Sequence, residues 1–238
     1  GRFTLQFGKF ATVVGNWVER HLSWENPFIT APLPYENLTG VWDSAAPDSA
    51  ETLLYWAHVA PEQLHGGYDD YSDKYLRNPI IWGPSYTSGA SVFGRIEKLD
   101  YAFEVKNASL SSRPTVWDGT DRGWSDPTFT ARIGHRPNAA WNVGASFSRG
   151  AYLQSNASNL PAGSSAGDFQ QTGVGTDVSF AWHHWQFWGE AIATRFDVPR
   201  VGDVETLGYF IEAKYKLTPN IFTALRGNQQ FFDKVSDG

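Results

Sequence analysis

The stretch EAKYKLTPNIFTALR, Glu212 to Arg226, decides how this chain is read. Ala213, Tyr215 and Leu217 alternate with polar residues, and Thr218-Pro219-Asn220 interrupts. Ile221, Thr223 and Leu225 then resume the alternation. Period-two alternation sends successive side chains to opposite faces of a strand, and Pro-Asn is turn chemistry. The stretch is a hairpin with an apolar face and a charged face. Its apolar residues meet either a protein core or lipid.

The same period recurs along the chain. Phe3, Leu5 and Phe7 oppose Arg2, Thr4 and Gln6; Leu99, Tyr101, Phe103 and Val105 oppose Asp100, Glu104 and Lys106. Similar strands are predicted at 128–136, 141–148 and 172–180. WQFWGEAIATRF is read as a strand without assigned faces, because Trp188 and Ile192 share parity with Glu190. Connections sort by length. Short ones lie near 97–100, 136–140, 182–185 and 217–220, and long ones at 109–126, 149–170 and 197–206. Tight turns at one end and long polar loops at the other are the meander of an outer-membrane barrel.

Aromatics make up 16% of the chain. Trp117, Trp124, Trp141, Trp182, Trp185, Tyr215 and Phe231 fall near predicted strand ends, where rings suited to a membrane interface would stand. In a soluble fold the same rings would cap a β core. By parity, the polar faces carry Arg2, Arg95, Glu97, Asp100, Glu104, Lys106, Arg132, Asp177, Glu212, Lys214 and Arg226. In a wide barrel such charges line water. In a sandwich they would face bulk solvent around an aromatic core.

Residues 16–80 differ. They hold ten acids against three bases, while the whole 238-residue chain has net charge −6. Strand alternation is poor there, although AETLLYWAHVA (50–60) reads as either strand or helix. A long excursion of this kind tends to be functional. We expect it to narrow or plug a lumen, with Glu19, Arg20, His21, Glu25 and Glu36 as constriction candidates. The acidity suggests a mild cation preference, or divalent-ion bridging to lipopolysaccharide. It argues against nucleic acid, which needs a basic stripe.

No catalytic constellation stands out, and no enzyme is expected. With no Cys, disulfides and thiolate metal sites are excluded. His183 and His184 are adjacent and lack ligand-like spacing, so no metal and no cofactor are expected. GVGTDVSF lacks the P-loop Lys, and Asp69-Asp70 has no neighbouring base. No apolar run is long enough for a transmembrane helix. The absence of Met and the opening in mid-strand lead us to expect further chain at both ends.

FTLQFGKF (3–10), NPFITAPLPYENLTG (26–40), YAFEVKNASLSSRP (101–114) and IEAKYKLTPNIFTALRGNQQFF (211–232) together resemble outer-membrane porins, in the class that includes phosphate-selective porins. The resemblance implies an up-and-down antiparallel transmembrane β-barrel, about 16 strands in the intact protein. It also implies passage of small hydrophilic solutes and frequent trimers. Two features depart from it. The chain closes on FFDKVSDG, not an aromatic strand, and no dense Arg/Lys ladder is present, so phosphate is not carried over. The expected reading is one domain, 1–238, in the outer membrane among lipid and lipopolysaccharide, with Arg2, Arg95, Glu104, Lys106, Arg132, Asp177, Glu212, Lys214 and Arg226 lining the lumen. The alternatives are a structural or surface-binding barrel (adhesin, anchor or sheath) and a secreted carbohydrate-binding β-sandwich.

Overall fold

The computed structural model describes residues 2–22, 26–58, 77–120 and 123–235. Glu25 and the Asp69-Asp70 pair therefore lie outside the described residues. In chain order the elements are β1 (Thr4–Phe10), α1 (Leu33–Glu36), β2 (Leu38–Trp42), α2 (Ala50–His58) and β3 (Arg77–Pro79). There follow β4 (Thr87–Ile96), β5 (Leu99–Lys106), β6 (Thr128–His135), β7 (Trp141–Ala151), β8 (Gln170–Trp182), β9 (Trp185–Val198), β10 (Gly202–Lys216) and β11 (Phe222–Phe232). Nine strands pair antiparallel in the order β1-β4-β5-β6-β7-β8-β9-β10-β11, while β2 and β3 form a separate pair. The all-β, antiparallel expectation is met.

The meander follows from local turn chemistry. Glu97 and His183 take left-handed backbone conformations (φ 53° and 50°) in the turns after β4 and β8, as two-residue hairpins require. His183 and His184 are thus turn residues. One connection differs from its expected length. The polar run 197–206 is mostly strand, and only Pro199, Arg200 and Val201 separate β9 from β10. Arg200 and Gly202 supply the positive φ angles (62° and 92°) for this tight turn. Its charges misled because Asp197, Asp203 and Glu205 occupy one face, while Val198 and Val204 are buried on the other.

Between β1 and β4 the chain leaves the sheet and folds across one of its faces. Within this segment, residues 50–58 resolve as helix. Ser49 caps it, its Oγ accepting the Thr52 N–H at 3.2 Å. Two apolar clusters bind segment to sheet. Val14, Trp17, Tyr35, Ile80 and Ile81 pack with Ile192 of β9 and Phe210 of β10. Val41 and Leu53 pack with Tyr152, Phe196, Val198 and Val204. This resolves the mixed pattern of β9: Trp188, Glu190 and Ile192 share the covered face, where apolar packing and polar anchoring are both needed.

The segment's α1 approaches β10 closely at Gly208, where a Cβ would lie 2.8 Å from Pro34. Gly208→Val should therefore displace α1 and cost about 1–3 kcal/mol. A lowered denaturant midpoint would register it; an unchanged midpoint would mean that α1 is not seated on β10.

Candidate functional site

The covered face carries charges that bury a β-sheet soluble domain would rarely tolerate unpaired. The buried ones, Glu104, Lys106, Asp177, Glu190 and Glu212, are each engaged, and all but Asp177 engage the in-folded segment. Glu190 of β9 accepts the backbone N–H groups of Asn16 (2.9 Å) and Trp17 (3.4 Å), and the Tyr35 hydroxyl also donates to it. Asn16 reaches further, donating to the carbonyls of Val178 (2.9 Å) and Gly189 (3.1 Å). Gly15 permits this contact: its φ is +73° and a Cβ would sit 2.2 Å from the Glu190 carboxylate. Burial, and then the adjacent Glu190, raise the Tyr35 pKa well above the ordinary phenol range, so Tyr35 stays a donor.

A second anchor centres on Glu212 of β10, whose side chain is fully buried. Arg226 of β11 donates to it at 2.8 Å, and Arg20 of the segment approaches its other oxygen at 2.9 Å. Arg20 also lies 4.1 Å from the Trp188 ring centroid, and Arg226 lies 4.2 Å from that of Phe28. Burial lowers the Arg20 pKa and Glu212 partly offsets that.

The third anchor sits at the start of the segment. Lys106 donates to the Phe10 carbonyl at 2.7 Å. Glu104 accepts from the Thr12 hydroxyl (3.3 Å) and the Val13 N–H (3.4 Å). A fourth, unforeseen in sequence, joins Asp43 to Arg113 of the β5–β6 connection, with Nε to Oδ2 at 2.8 Å.

Away from the long connections the covered face opens into two cavities. The larger, about 810 Å³, is lined by Arg2, Phe93, Arg95, Asp100, Glu104 and Arg132, among others. The smaller, about 440 Å³, lies by the turns after β6 and β8, with Asn142, Ser179, Gln186 and Trp188 in its lining. Glu19, Arg95 and Arg136 line both.

The constriction candidates separate accordingly. Glu19 faces the cavities. Arg20 is an anchor. His21 pairs through Nε2 with the Tyr86 hydroxyl at 2.7 Å. Glu36 accepts the Ala31 N–H at 3.1 Å and lines neither cavity. Among the lumen-lining candidates, Arg2, Arg95, Glu104 and Arg132 line the larger cavity. Asp177 is buried against Arg132 at 2.6 Å. Lys106, Glu212 and Arg226 serve the anchors, and Lys214 lies 4.3 Å from the Phe222 ring centroid, near the final turn. Arg136 was missed because it sits in a turn, where strand parity gives no direction.

The opposite face of the sheet is apolar and exposed. Phe7 is 74% and Leu225 76% exposed, and Phe103, Phe129, Ile133, Phe147, Val174, Leu207 and Ile211 are also exposed. Cross-strand registers order this face into rows. Trp141, Phe180, Phe187, Ala213 and Leu225 form one row, beside Trp182, Trp185 and Tyr215 at the short-turn end. Ring centroids there are close: Trp141–Phe180 at 4.4 Å, Phe180–Phe187 at 6.1 Å and Trp185–Tyr215 at 4.6 Å. The Phe147, Val174, Ala193, Leu207 and Phe231 row lies nearer the long connections. Beyond it Arg149, Thr172, Arg195 and Glu205 form a polar row. Within the band, Gln229 accepts the Tyr209 hydroxyl at 2.8 Å.

Two of the expected girdle residues, Trp117 and Trp124, lie in the β5–β6 connection instead. Trp117 is buried within the β5–β6 connection, its indole N–H donating to the Ser112 carbonyl at 2.7 Å. A ring near a strand end can serve a loop core as readily as an interface.

No protein-family model matches the chain, and no curated protein matches it.

Proposed function

We propose that this protein is an outer-membrane β-barrel porin, through which small hydrophilic solutes or ions diffuse passively. The observation that supports it is the inverted polarity of the nine-stranded sheet: charges are enclosed and large apolar side chains are exposed. In water, each exposed Phe, Ile or Leu would forgo about 1.5–3 kcal/mol of burial, and a continuous apolar surface marks a partner or a membrane. Here the partner is lipid. From Trp185 to Ala193 the outward band of β9 spans nine residues, and a tilted strand needs about 9–11 to cross the hydrocarbon. Aromatics stand at one edge and charges at the other, as headgroup depth favours. In this reading the in-folded segment narrows the lumen, selectivity comes from the cavity lining, and there is no chemical step.

The test is ion conductance by the full chain in planar bilayers. Discrete conductance steps are expected; their complete absence would overturn the porin.

A second reading keeps the barrel and closes it, leaving an anchor, adhesin or sheath. The two apolar clusters and the polar anchors that hold the segment favour it. Swelling of proteoliposomes in sugar or amino-acid solutions separates the two, since a closed barrel admits no solute.

A further inference from the structure

Resting on the reading of the sheet as a membrane-spanning wall, we infer that the notch between the β8–β9 and β10–β11 turns binds the headgroup of an anionic phospholipid in the leaflet at the short-turn end. The two turns are neighbours because β9 and β10 pair as far as Trp185 and Tyr215. Hydrogen bonds tie them together: the Lys216 N–H donates to the His184 carbonyl at 2.9 Å, and His184 Nδ1 donates to the Lys216 carbonyl at 2.9 Å. Between the turns lies a space of about 810 Å³, whose lining includes His183, His184, Lys214 and Lys216. No described carboxylate lines it.

Two lysines and two imidazoles therefore share this space without a counter-charge. Lys214 lies 4.3 Å from the Phe222 ring centroid, and Lys216 is exposed with no ion pair among the described residues. The acids nearby in the sheet are committed: Glu212, two residues from Lys214, to Arg20 and Arg226, and Asp100 to Arg95 and Arg136. Glu97 and Lys98 adjoin in the β4–β5 turn, beyond the turn at 136–140. A basic site of this kind concentrates anions. What adjoins the charge points to a lipid. Leu217 and Ile221, 56% and 58% exposed, line the same notch with Phe222 and Trp185. Lys216 follows Tyr215 by one residue, a rise of about 3.3 Å, which sets its ammonium just outside the aromatic row, at headgroup depth. Its covered-face parity is no obstacle, since a four-carbon stem at the end of a strand reaches round the rim. A free anion would use the lysines and leave Leu217 and Ile221 in water, whereas a phospholipid satisfies both.

The test incubates the full chain, in non-ionic detergent, with equimolar phosphatidylglycerol and phosphatidylcholine, and reads the retained lipids by native mass spectrometry. Phosphatidylglycerol should be retained in preference. Lys216→Gln should lower that preference about fivefold, the effect of one lysine beside an anionic headgroup. The variant should assemble normally, because Lys216 contributes only backbone groups to hydrogen bonds among the described residues. Lys98→Gln removes a charge from the same end of the sheet, one whose ammonium donates to the Pro137 carbonyl at 2.8 Å, and should leave the preference unchanged. Excess inorganic phosphate should not displace the lipid when compared with KCl at matched ionic strength; displacement would make the notch a free-anion site and overturn the lipid. Equal retention of the two lipids, or an equal loss in Lys98→Gln, by a protein that conducts would overturn the site while leaving the porin standing. A wild-type protein that enters vesicles of neither lipid would overturn both.

Discussion

Ile211→Arg is expected to prevent assembly into membranes. Ile211 is 62% exposed and pairs across to Gly189 and Gly227, near the middle of the outward apolar band. An arginine facing hydrocarbon at mid-depth costs about 2–4 kcal/mol, falling to about 0–1 near the interfaces. The penalty should therefore be graded. Leu225→Arg lies a row closer to the Trp182, Trp185 and Tyr215 end and should be milder. Lys214→Gln, on the covered parity, should assemble like the wild type and alter only ion selectivity. A water-facing sheet makes the opposite forecast, because an exposed Ile→Arg change there is neutral or improves solubility. Folded yield in lipid vesicles, read from heat-modifiable mobility, distinguishes them. Normal assembly of Ile211→Arg would remove the lipid-facing assignment.

The strands were legible because their two faces meet different surroundings. Leu99 to Lys106 and Trp141 to Ser148 alternate cleanly, and the structure keeps their predicted parity. Legibility failed where a strand meets the segment. At Trp188, Glu190 and Ile192 the covered face is partly a protein core, so polar and apolar residues share it. It failed again at 197–206, where charges on the exposed face beyond the apolar band imitate a loop. For the site, Glu19 stood out as an acid where the chain leaves the wall. The partners that fix its surroundings did not. Glu190 with Asn16, Glu212 with Arg20, and Asp43 with Arg113 are separated by 174, 192 and 70 residues. No local pattern encodes pairings of that range; they arise when the segment crosses the sheet.

Glu212→Gln is expected to release the segment while leaving the strand ladder intact. The carboxylate is fully buried and is the shared counter-charge of Arg20 and Arg226. Without it two like charges remain desolvated side by side, and breaking a buried ion pair by removing one partner costs about 3–5 kcal/mol. That cost need not fall on the whole molecule. Backbone ladders to β9 and β11 hold β10 on both sides, whereas the segment depends on its anchors and two apolar clusters. Local opening is the cheaper response. Trypsin should then cleave after Arg20, which is protected in the wild type, and conductance in bilayers should rise. Two comparisons isolate the cause. Arg20→Met, Glu212→Leu and Arg226→Met together remove all three charges and should restore protection, because replacing a whole buried ionic cluster by apolar groups is often neutral or stabilising. Asp203→Asn breaks a pair to Arg195 whose side chains are 53% and 50% exposed, and should change stability by at most about 1 kcal/mol. Unchanged tryptic protection of Arg20 in Glu212→Gln would show that the apolar clusters alone hold the segment against the wall.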